Sequence, residues 1–85
     1  MKVSIRYFAS LREAIGLSQE DLDLHSSVNT VAALRRHLSD LSDGRAEALA
    51  PHKAVRAAID QMMCDEAAEI YDGCEVAFFP PVTGG

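Results

Sequence analysis

The fold is decided by the stretch Glu75-Val76-Ala77-Phe78-Phe79-Pro80-Pro81, a short strand pattern that stops at two prolines. Its first five residues predict a strand, because large apolar side chains recur with the two-residue period of a half-buried strand. Each proline lacks an N–H and restricts φ, so strand pairing ends there and the chain continues as a semi-rigid extended segment. We therefore predict a folded domain over residues 1–79 and an extended tail over residues 80–85.

The tail continues as Val82-Thr83-Gly84-Gly85. Glycine has no Cβ, so two in succession let a peptide thread a narrow channel and present a carboxylate at its far end. We expect the carboxylate of Gly85 to be the reactive group. The threading segment is then Pro80, Pro81, Val82, Thr83 and Gly84. The alternative is an ordinary frayed terminus, in which the prolines only end the last strand.

Composition limits the class of protein. Eighty-five residues, 48% of them hydrophobic and 25% charged, make one globular domain with room for a modest core and not for a self-contained multi-substrate enzyme. A net charge of −5 argues against binding to nucleic acid and favours a basic protein partner. The sequence has no signal-peptide pattern and no apolar run of the ~20 residues that span a bilayer, so we expect a cytoplasmic protein with no membrane association.

Few residues suggest a metal or cofactor site. The three histidines, His25, His37 and His52, are widely spaced and form no HxxxH or HExxH pair. Cys64 and Cys74 do not form a CxxC pair, and we expect both to be reduced thiols. The chain also lacks a glycine-rich phosphate loop, so we expect no bound cofactor, and any nucleotide must be held by a partner.

The chain is predicted to begin with a strand, a short helix and a return strand. Residues 2–8 alternate polar and apolar side chains, which predicts a strand with one buried face. Ser10 is predicted to cap the short helix with Glu13 as its capping-box partner, and Gly16 to end it. Alternation over residues 19–25 predicts the return strand, with one apolar and one acidic face.

The main helix is predicted to start at Thr30, which has the side chain of an N-cap. Its apolar face comprises Val31, Leu34, Leu38 and Leu41, and its polar face Arg35, Arg36 and Asp40. Residues 42–53 predict a short helical turn within a loop. Strands follow at residues 55–60 and at Met62-Met63, and Asp72-Gly73 turns the chain into the last strand. This order predicts an α+β fold, a mixed sheet of about five strands covered on one face by the helices.

We expect the first and last strands to be parallel neighbours at the centre of the sheet. Phe8 and Phe79 then share the face that carries no helix, where Met63 extends the apolar surface. Soluble monomers tend to avoid such a surface unless it binds something, so these three residues are the candidate partner interface. The alternative is that one or both phenylalanines fold over a sheet edge into the core.

The sequence resembles a known family. The block from Asp72 to Gly85, with its Phe-Phe-Pro-Pro approach to Gly-Gly, looks like the C-terminal signature of the small subunit of molybdopterin synthase. Similar residues fall at Tyr7–Glu13, at Thr30-Val31 with Leu34, and at Ile59-Asp60-Gln61. The resemblance covers nearly the whole chain. Thiazole-synthesis sulfur carriers and ubiquitin-like modifiers share the fold and the Gly-Gly end but lack the Phe-Phe-Pro-Pro approach.

The resemblance implies a ubiquitin-like β-grasp domain that works as a sulfur carrier. An adenylating enzyme related to ubiquitin activators would use ATP to activate the Gly85 carboxylate, and a sulfur donor would convert it to a thiocarboxylate. The tail would then enter the large subunit of molybdopterin synthase, whose active site builds the dithiolene of molybdopterin from cyclic pyranopterin monophosphate. The family implies a heterotetramer, with a carrier at each end of a large-subunit dimer. The carrier would not be catalytic alone.

Three positions depart from the family pattern. Cys74 stands where an acidic turn residue is common, Asp60 stands where asparagine is usual, and the loop over residues 45–53 matches no pattern. None of them lies in the tail. Two other functions remain open: a sulfur carrier for another acceptor, such as thiazole or tRNA, and a ubiquitin-like interaction module whose Gly-Gly tail is idle.

Overall fold

The structure is a computed structural model, and it describes residues 1–81. Its elements in chain order are β1 (Lys2–Tyr7), α1 (Ala9–Ile15), β2 (Gln19–Asp23), α2 (Val31–Ser39), α3 (Asp43–Ala48), β3 (Arg56–Ile59), β4 (Met62–Cys64) and β5 (Glu75–Phe79). The predicted division into a domain over 1–79 and a tail over 80–85 stays a prediction, because Val82, Thr83, Gly84 and Gly85 lie outside the described residues.

The five strands form one mixed sheet in the order β2-β1-β5-β3-β4. β1 and β5 are parallel and central, and the other neighbours are antiparallel. The predicted parallel pairing of the first and last strands is confirmed, with Ile5 opposite Val76 and Tyr7 opposite Phe78. The predicted α+β arrangement is also confirmed. As a result, the first and last strands are neighbours, and the C-terminal ends of β1 and β5 lie at the same edge of the sheet.

The core lies between the sheet and the helices. Every second residue of the central strands is buried, as the two-residue period predicts. From α2, Val31, Leu34 and Leu38 pack against them and are fully buried. Burial of each large apolar side chain is worth roughly 1.5–3 kcal/mol, so this cluster supplies most of the stability of a small domain. The buried strand residues are Val3, Ile5, Tyr7, Val76 and Phe78.

The first helix starts earlier than the sequence predicted. α1 begins at Ala9 with Phe8 as N-cap, and within residues 1–81 this cap has no side-chain hydrogen bond. The predicted capping box of Ser10 and Glu13 is therefore wrong, because the Phe8 carbonyl already accepts from the Leu11 N–H at 3.1 Å and places Ser10 inside the first turn. The predicted end at Gly16 is confirmed, since its φ of 86° and its bond to the Arg12 carbonyl close the helix.

Thr30 caps α2 as predicted, because its Oγ1 accepts from the Ala33 N–H at 3.1 Å. The predicted extension of the apolar face to Leu41 is wrong. α2 ends at Ser39, and Leu41 beyond it is 46% exposed. Residues 42–53 do contain the predicted helical turn, which is α3 with Ser42 as its N-cap. Within residues 1–81, none of the helices is long and apolar enough to cross a membrane.

Arg35 was predicted on the polar face of α2, and this is wrong because the side chain is buried, with 8% of the residue exposed. α3 and the loop after it pack beside α2 and turn their carbonyls toward the guanidinium. Arg35 donates to the carbonyls of Leu49 at 2.8 Å, Ala50 at 2.6 Å and Lys53 at 2.8 Å, and it pairs with Glu66. Arg35 thus supplies a donor to the Leu49 and Lys53 carbonyls and a second donor to the Ala50 carbonyl, which also accepts from the Lys53 N–H at 2.9 Å.

Candidate functional site

Phe8 and Phe79 meet on the open face, which we define as the face of the sheet opposite the helices. Their ring centroids are 6.5 Å apart and the rings are nearly perpendicular, at 81°. Phe8 is 40% exposed and Phe79 is partly buried, so neither ring enters the core. Edge-to-face aromatic pairs add roughly 0.5–1.5 kcal/mol beyond burial, which holds the two rings together at the edge where β5 ends.

Met63 belongs to the same surface. A shallow depression of about 290 Å³ on the open face is lined by Phe8, Met63 and Phe79, together with Ala58 and Ala77. Met63 is more than half exposed, and its thioether can adapt its shape to a partner. The structure therefore brings together the three residues that were predicted as a partner interface. We call Phe8, Met63 and Phe79 the open-face patch.

Sequence reasoning missed the charged neighbour of this patch. Arg6 lies on β1 two residues before Phe8, and its guanidinium carbon is 5.7 Å from the centroid of the Phe8 ring. The same guanidinium forms an ion pair with Glu75 at 3.2 Å. A cation over an aromatic ring is attracted by about 0.5–1 kcal/mol at an exposed site. The available signal was Arg6 itself, which alternates with buried residues of β1 and so faces the same side as Phe8.

Asp60, a departure from the family pattern, connects the β3–β4 turn to the last strand. The turn residues Asp60 and Gln61 have φ values of 49° and 70°, as a two-residue hairpin turn of type I′ requires. The Asp60 N–H donates to the Glu75 carbonyl at 2.8 Å, and its carboxylate accepts from the Glu75 N–H at 2.9 Å. These two bonds hold the first residue of β5 in register.

Cys74, another departure, is a core residue. It is 1% exposed and packs in the hydrophobic cluster just after Gly73, whose φ of 86° makes the predicted turn. Burial raises the pKa of the Cys74 thiol, and the charge of Asp60 raises it further. Burial likewise raises the pKa of the Cys64 thiol. Both cysteines are free thiols without the lowered pKa of a reactive nucleophile.

A polar network connects α3 to the sheet on the helical side. The Tyr7 hydroxyl donates to Glu20 Oε2 at 2.6 Å, and Arg45 donates to both oxygens of Glu20, at 3.0 and 2.7 Å. Burial opposes ionisation of Glu20, but the hydrogen bonds from Arg45 and Tyr7 outweigh it and lower the pKa of this carboxyl. Burial and the bond to Glu20 raise the pKa of Tyr7 far above its usual value. This network is structural and lies in the helix-facing layer.

The predicted reactive end is not part of the described geometry. Pro80 and Pro81 follow β5 directly and are partly buried, while Val82, Thr83, Gly84 and Gly85 lie outside the described residues. What the structure places is the base of the tail, beside the open-face patch. In residues 1–81, no three His, Cys, Asp or Glu side chains are grouped so that they could hold a metal ion.

The fold and this surface together define a ubiquitin-like β-grasp domain with an apolar, partly cationic patch at the base of its C-terminal segment. The sequence profile of the ThiS family matches residues 5–85. The chain belongs to the ThiS family.

Relatives with curated names match the chain from end to end. The molybdopterin synthase sulfur carrier subunit of Escherichia coli K12 is 40% identical over 83 residues, covering 98% of this chain and 99% of that protein. The protein of the same name from Haemophilus influenzae is 37% identical over 83 residues, which again cover 98% of this chain and 99% of that protein. A solved complex of subunits 1 and 2 of the molybdopterin-converting factor from Helicobacter pylori contains a chain with the same fold, at a TM-score of 0.68, 23% identity and full coverage of both chains.

Proposed function

We propose that this chain is the sulfur carrier subunit of molybdopterin synthase. The observation that carries the proposal is the 40% identity to a protein of that name over nearly the full length of both chains. Family membership through residue 85 includes the Gly-Gly tail in the match. The β-grasp body supplies what a carrier needs, a rigid domain with a docking surface beside the strand that leads into the tail.

The chemistry takes place at Gly85. A carboxylate is a poor electrophile, so it first attacks ATP to form an acyl-adenylate, with pyrophosphate as the leaving group. A sulfur donor then displaces AMP, which leaves a thiocarboxylate. We expect the nucleotide to be held by an adenylating enzyme related to ubiquitin activators. This chain itself offers no phosphate-binding loop, and no bound cofactor is proposed for it.

The large subunit of molybdopterin synthase is the proposed acceptor partner. The relative from Helicobacter pylori was solved as a complex of subunits 1 and 2, and the fold of one of its chains matches this one. Residues 80–85 would enter the large subunit, where the thiocarboxylate sulfurs of two carriers are transferred in turn to cyclic pyranopterin monophosphate to form the dithiolene, each carrier returning to the carboxylate form. The open-face patch would pack against the same partner. We place this complex in the cytoplasm, as a heterotetramer with two carriers.

The decisive experiment is an intact-mass measurement. The protein is incubated with ATP, its adenylating enzyme and a sulfur donor, and we expect one oxygen at Gly85 to be replaced by sulfur. A variant that lacks Gly84 and Gly85 is the matched control and should stay unmodified. If the wild-type mass stays unchanged with an enzyme proven active on another carrier, the proposed carrier function is wrong. The remaining interpretation is then an interaction module whose Gly-Gly tail is idle.

A second assay identifies the acceptor. Thiocarboxylated protein is mixed with the large subunit and cyclic pyranopterin monophosphate, and molybdopterin formation is followed. Efficient product formation supports molybdopterin synthase. Modification at Gly85 without product, combined with sulfur delivery to a thiazole precursor or to tRNA, would assign the chain to another acceptor.

A further inference from the structure

Acidic side chains of the open face gather near the start of β1, where Lys2, opposite Asp23, also lies on this face. Near the start of β1, Ser4 Oγ donates to Asp21 of β2 at 2.6 Å, and Asp23 pairs with the N-terminal amine. Toward the opposite end, where β1 and β5 finish, the charged side chains beside the open-face patch are Arg6, its ion-pair partner Glu75, and Arg56. The chain as a whole carries a net charge of −5, so its composition does not predict a surface region with positive charge.

Arg56 lies on this face by strand register. It pairs directly with Phe79 across the antiparallel β3–β5 ladder. Directly opposite residues of such a pair project from the same face, with Cβ atoms about 4.5–5.5 Å apart. The Arg56 side chain is exposed, and among residues 1–81 it forms neither a salt bridge nor a hydrogen bond. Its charge is therefore available to a partner that covers Phe79.

Arg6 flanks the patch from the other side. Its NH1 nitrogen bonds to Glu75, while its remaining N–H groups have no hydrogen-bond partner within residues 1–81. The guanidinium lies over the Phe8 ring, with its carbon 5.7 Å from the ring centroid. Arg6 and its ion-pair partner Glu75 both line the depression of about 290 Å³, and their charges offset each other. Arg56 is not part of this lining but lies opposite Phe79 at its rim, so Arg56 supplies the net positive charge at this end of the open face.

We propose that the open face of this carrier docks on an acidic surface of the large subunit, in which carboxylates facing Arg6 and Arg56 flank apolar side chains that fill the depression. The inference rests on the proposed function, because it specifies the chemistry of that partner. Apolar contact with the open-face patch supplies affinity, and the two arginines orient the complex and speed association. The net charge alone predicts a basic partner, and the placement of the arginines reverses that prediction for this surface.

The test is the affinity for the large subunit of the same organism at low and at high salt. We expect the double variant Arg6→Gln/Arg56→Gln to bind about tenfold more weakly at low salt, with a smaller difference at high salt as screening removes the charge contribution. Glu75→Gln frees Arg6 and should bind more tightly. Arg36→Gln, on the exposed side of α2, is the matched control and should stay within about twofold of the wild type.

Three results overturn the inference. The double variant could bind as tightly as the wild type, it could bind more tightly as a basic partner requires, or Arg36→Gln could weaken binding as much as the double variant does. If the wild type itself does not bind the large subunit, the proposed partner is wrong as well. Thiocarboxylate formation is measured without the large subunit, so it reports on the carrier function separately. Equal melting temperatures of all variants exclude unfolding as the cause.

Discussion

Asp60 and Glu75 exchange two hydrogen bonds, of 2.8 Å and 2.9 Å, that join the β3–β4 turn to the first residue of β5. The pair ties the left-handed turn to the strand that continues into the tail. Register errors in β5 would move Phe79 to the helical face, because a shift of one residue exchanges the two faces of a strand. The contact thus links a turn to the strand that carries Phe79 of the open-face patch.

Asp60→Ala should therefore destabilise the protein. The variant loses a side-chain bond worth about 1 kcal/mol and places alanine at a positive φ that costs about 1–2 kcal/mol, so we expect a loss of roughly 2 kcal/mol in the free energy of unfolding. Asp60→Asn is the control, because asparagine keeps the acceptor oxygen and tolerates the left-handed region. Urea denaturation measures both. Equal losses in the two variants would contradict the role of the Asp60 oxygen.

Arg35→Met should destabilise the protein through unsatisfied backbone carbonyls. The guanidinium donates to the carbonyls of Leu49, Ala50 and Lys53, and its loss leaves the buried Leu49 carbonyl without its partner, at a cost of about 1–3 kcal/mol. The Ala50 carbonyl keeps its bond from the Lys53 N–H, and the Lys53 carbonyl is only partly buried. We expect a loss of about 2–4 kcal/mol in unfolding free energy. Hydrogen exchange should rise first in residues 49–53. The neighbouring Arg36→Met should change stability by less than about 0.5 kcal/mol, and a similar loss in both would contradict this assignment.

The Tyr7–Glu20–Arg45 network should make stability fall in acid. The folded-state pKa of Glu20 is lowered, so its contribution is fully present above the ordinary carboxyl pKa and is lost as the pH falls through the folded value. Glu20→Gln should remove this part of the acid dependence, whereas Glu13→Gln, at an exposed position of α1, should leave it unchanged. Thermal melting between neutral pH and about pH 3 compares them. Parallel curves for wild type and Glu20→Gln would disprove the linkage.

Phe8→Ala and Phe79→Ala should weaken complex formation more than folding. Both rings lie on the open face, and aromatic anchors at interfaces commonly cost more than about 1.4 kcal/mol when removed, which is tenfold in affinity. Calorimetry with the large subunit measures binding, and thermal melting measures stability. Leu41→Ala, an exposed residue beyond α2, is the control. Intact binding with a large loss of stability would make the two phenylalanines structural.

Gly85→Ala should preserve the fold and impair sulfur transfer. The substitution adds a methyl group beside the reactive carboxylate, where the proposed channel has room only for glycine. The melting temperature should match that of the wild type, and thiocarboxylate formation and molybdopterin synthesis should both slow. Normal rates in both assays would show that the narrow-channel argument is wrong.

Much of the fold followed from local patterns. Alternation placed β1 and β5, Thr30 marked the start of α2, and Gly16 and Gly73 marked the end of α1 and a turn. The errors arose where tertiary contacts outweigh local preference. Arg35 was assigned to solvent because of its charge, yet the loop after α3 brings carbonyls that make burial favourable. Ser10 was assigned as a cap because of its side chain, although the Phe8 carbonyl had already started the helix.

The sequence by itself determined the family and the order of strands and helices, and it predicts the chemistry of the tail, because periodicity, capping residues and the Phe-Phe-Pro-Pro-Val-Thr-Gly-Gly end are all local along the chain. Only the tertiary structure decided which side chains surround the base of that tail. Arg6, Arg56 and Glu75 are far apart in sequence, and strand register brings them to one face beside Phe8 and Phe79. Register depends on long-range backbone pairing, so the charge around the open-face patch cannot be obtained from composition.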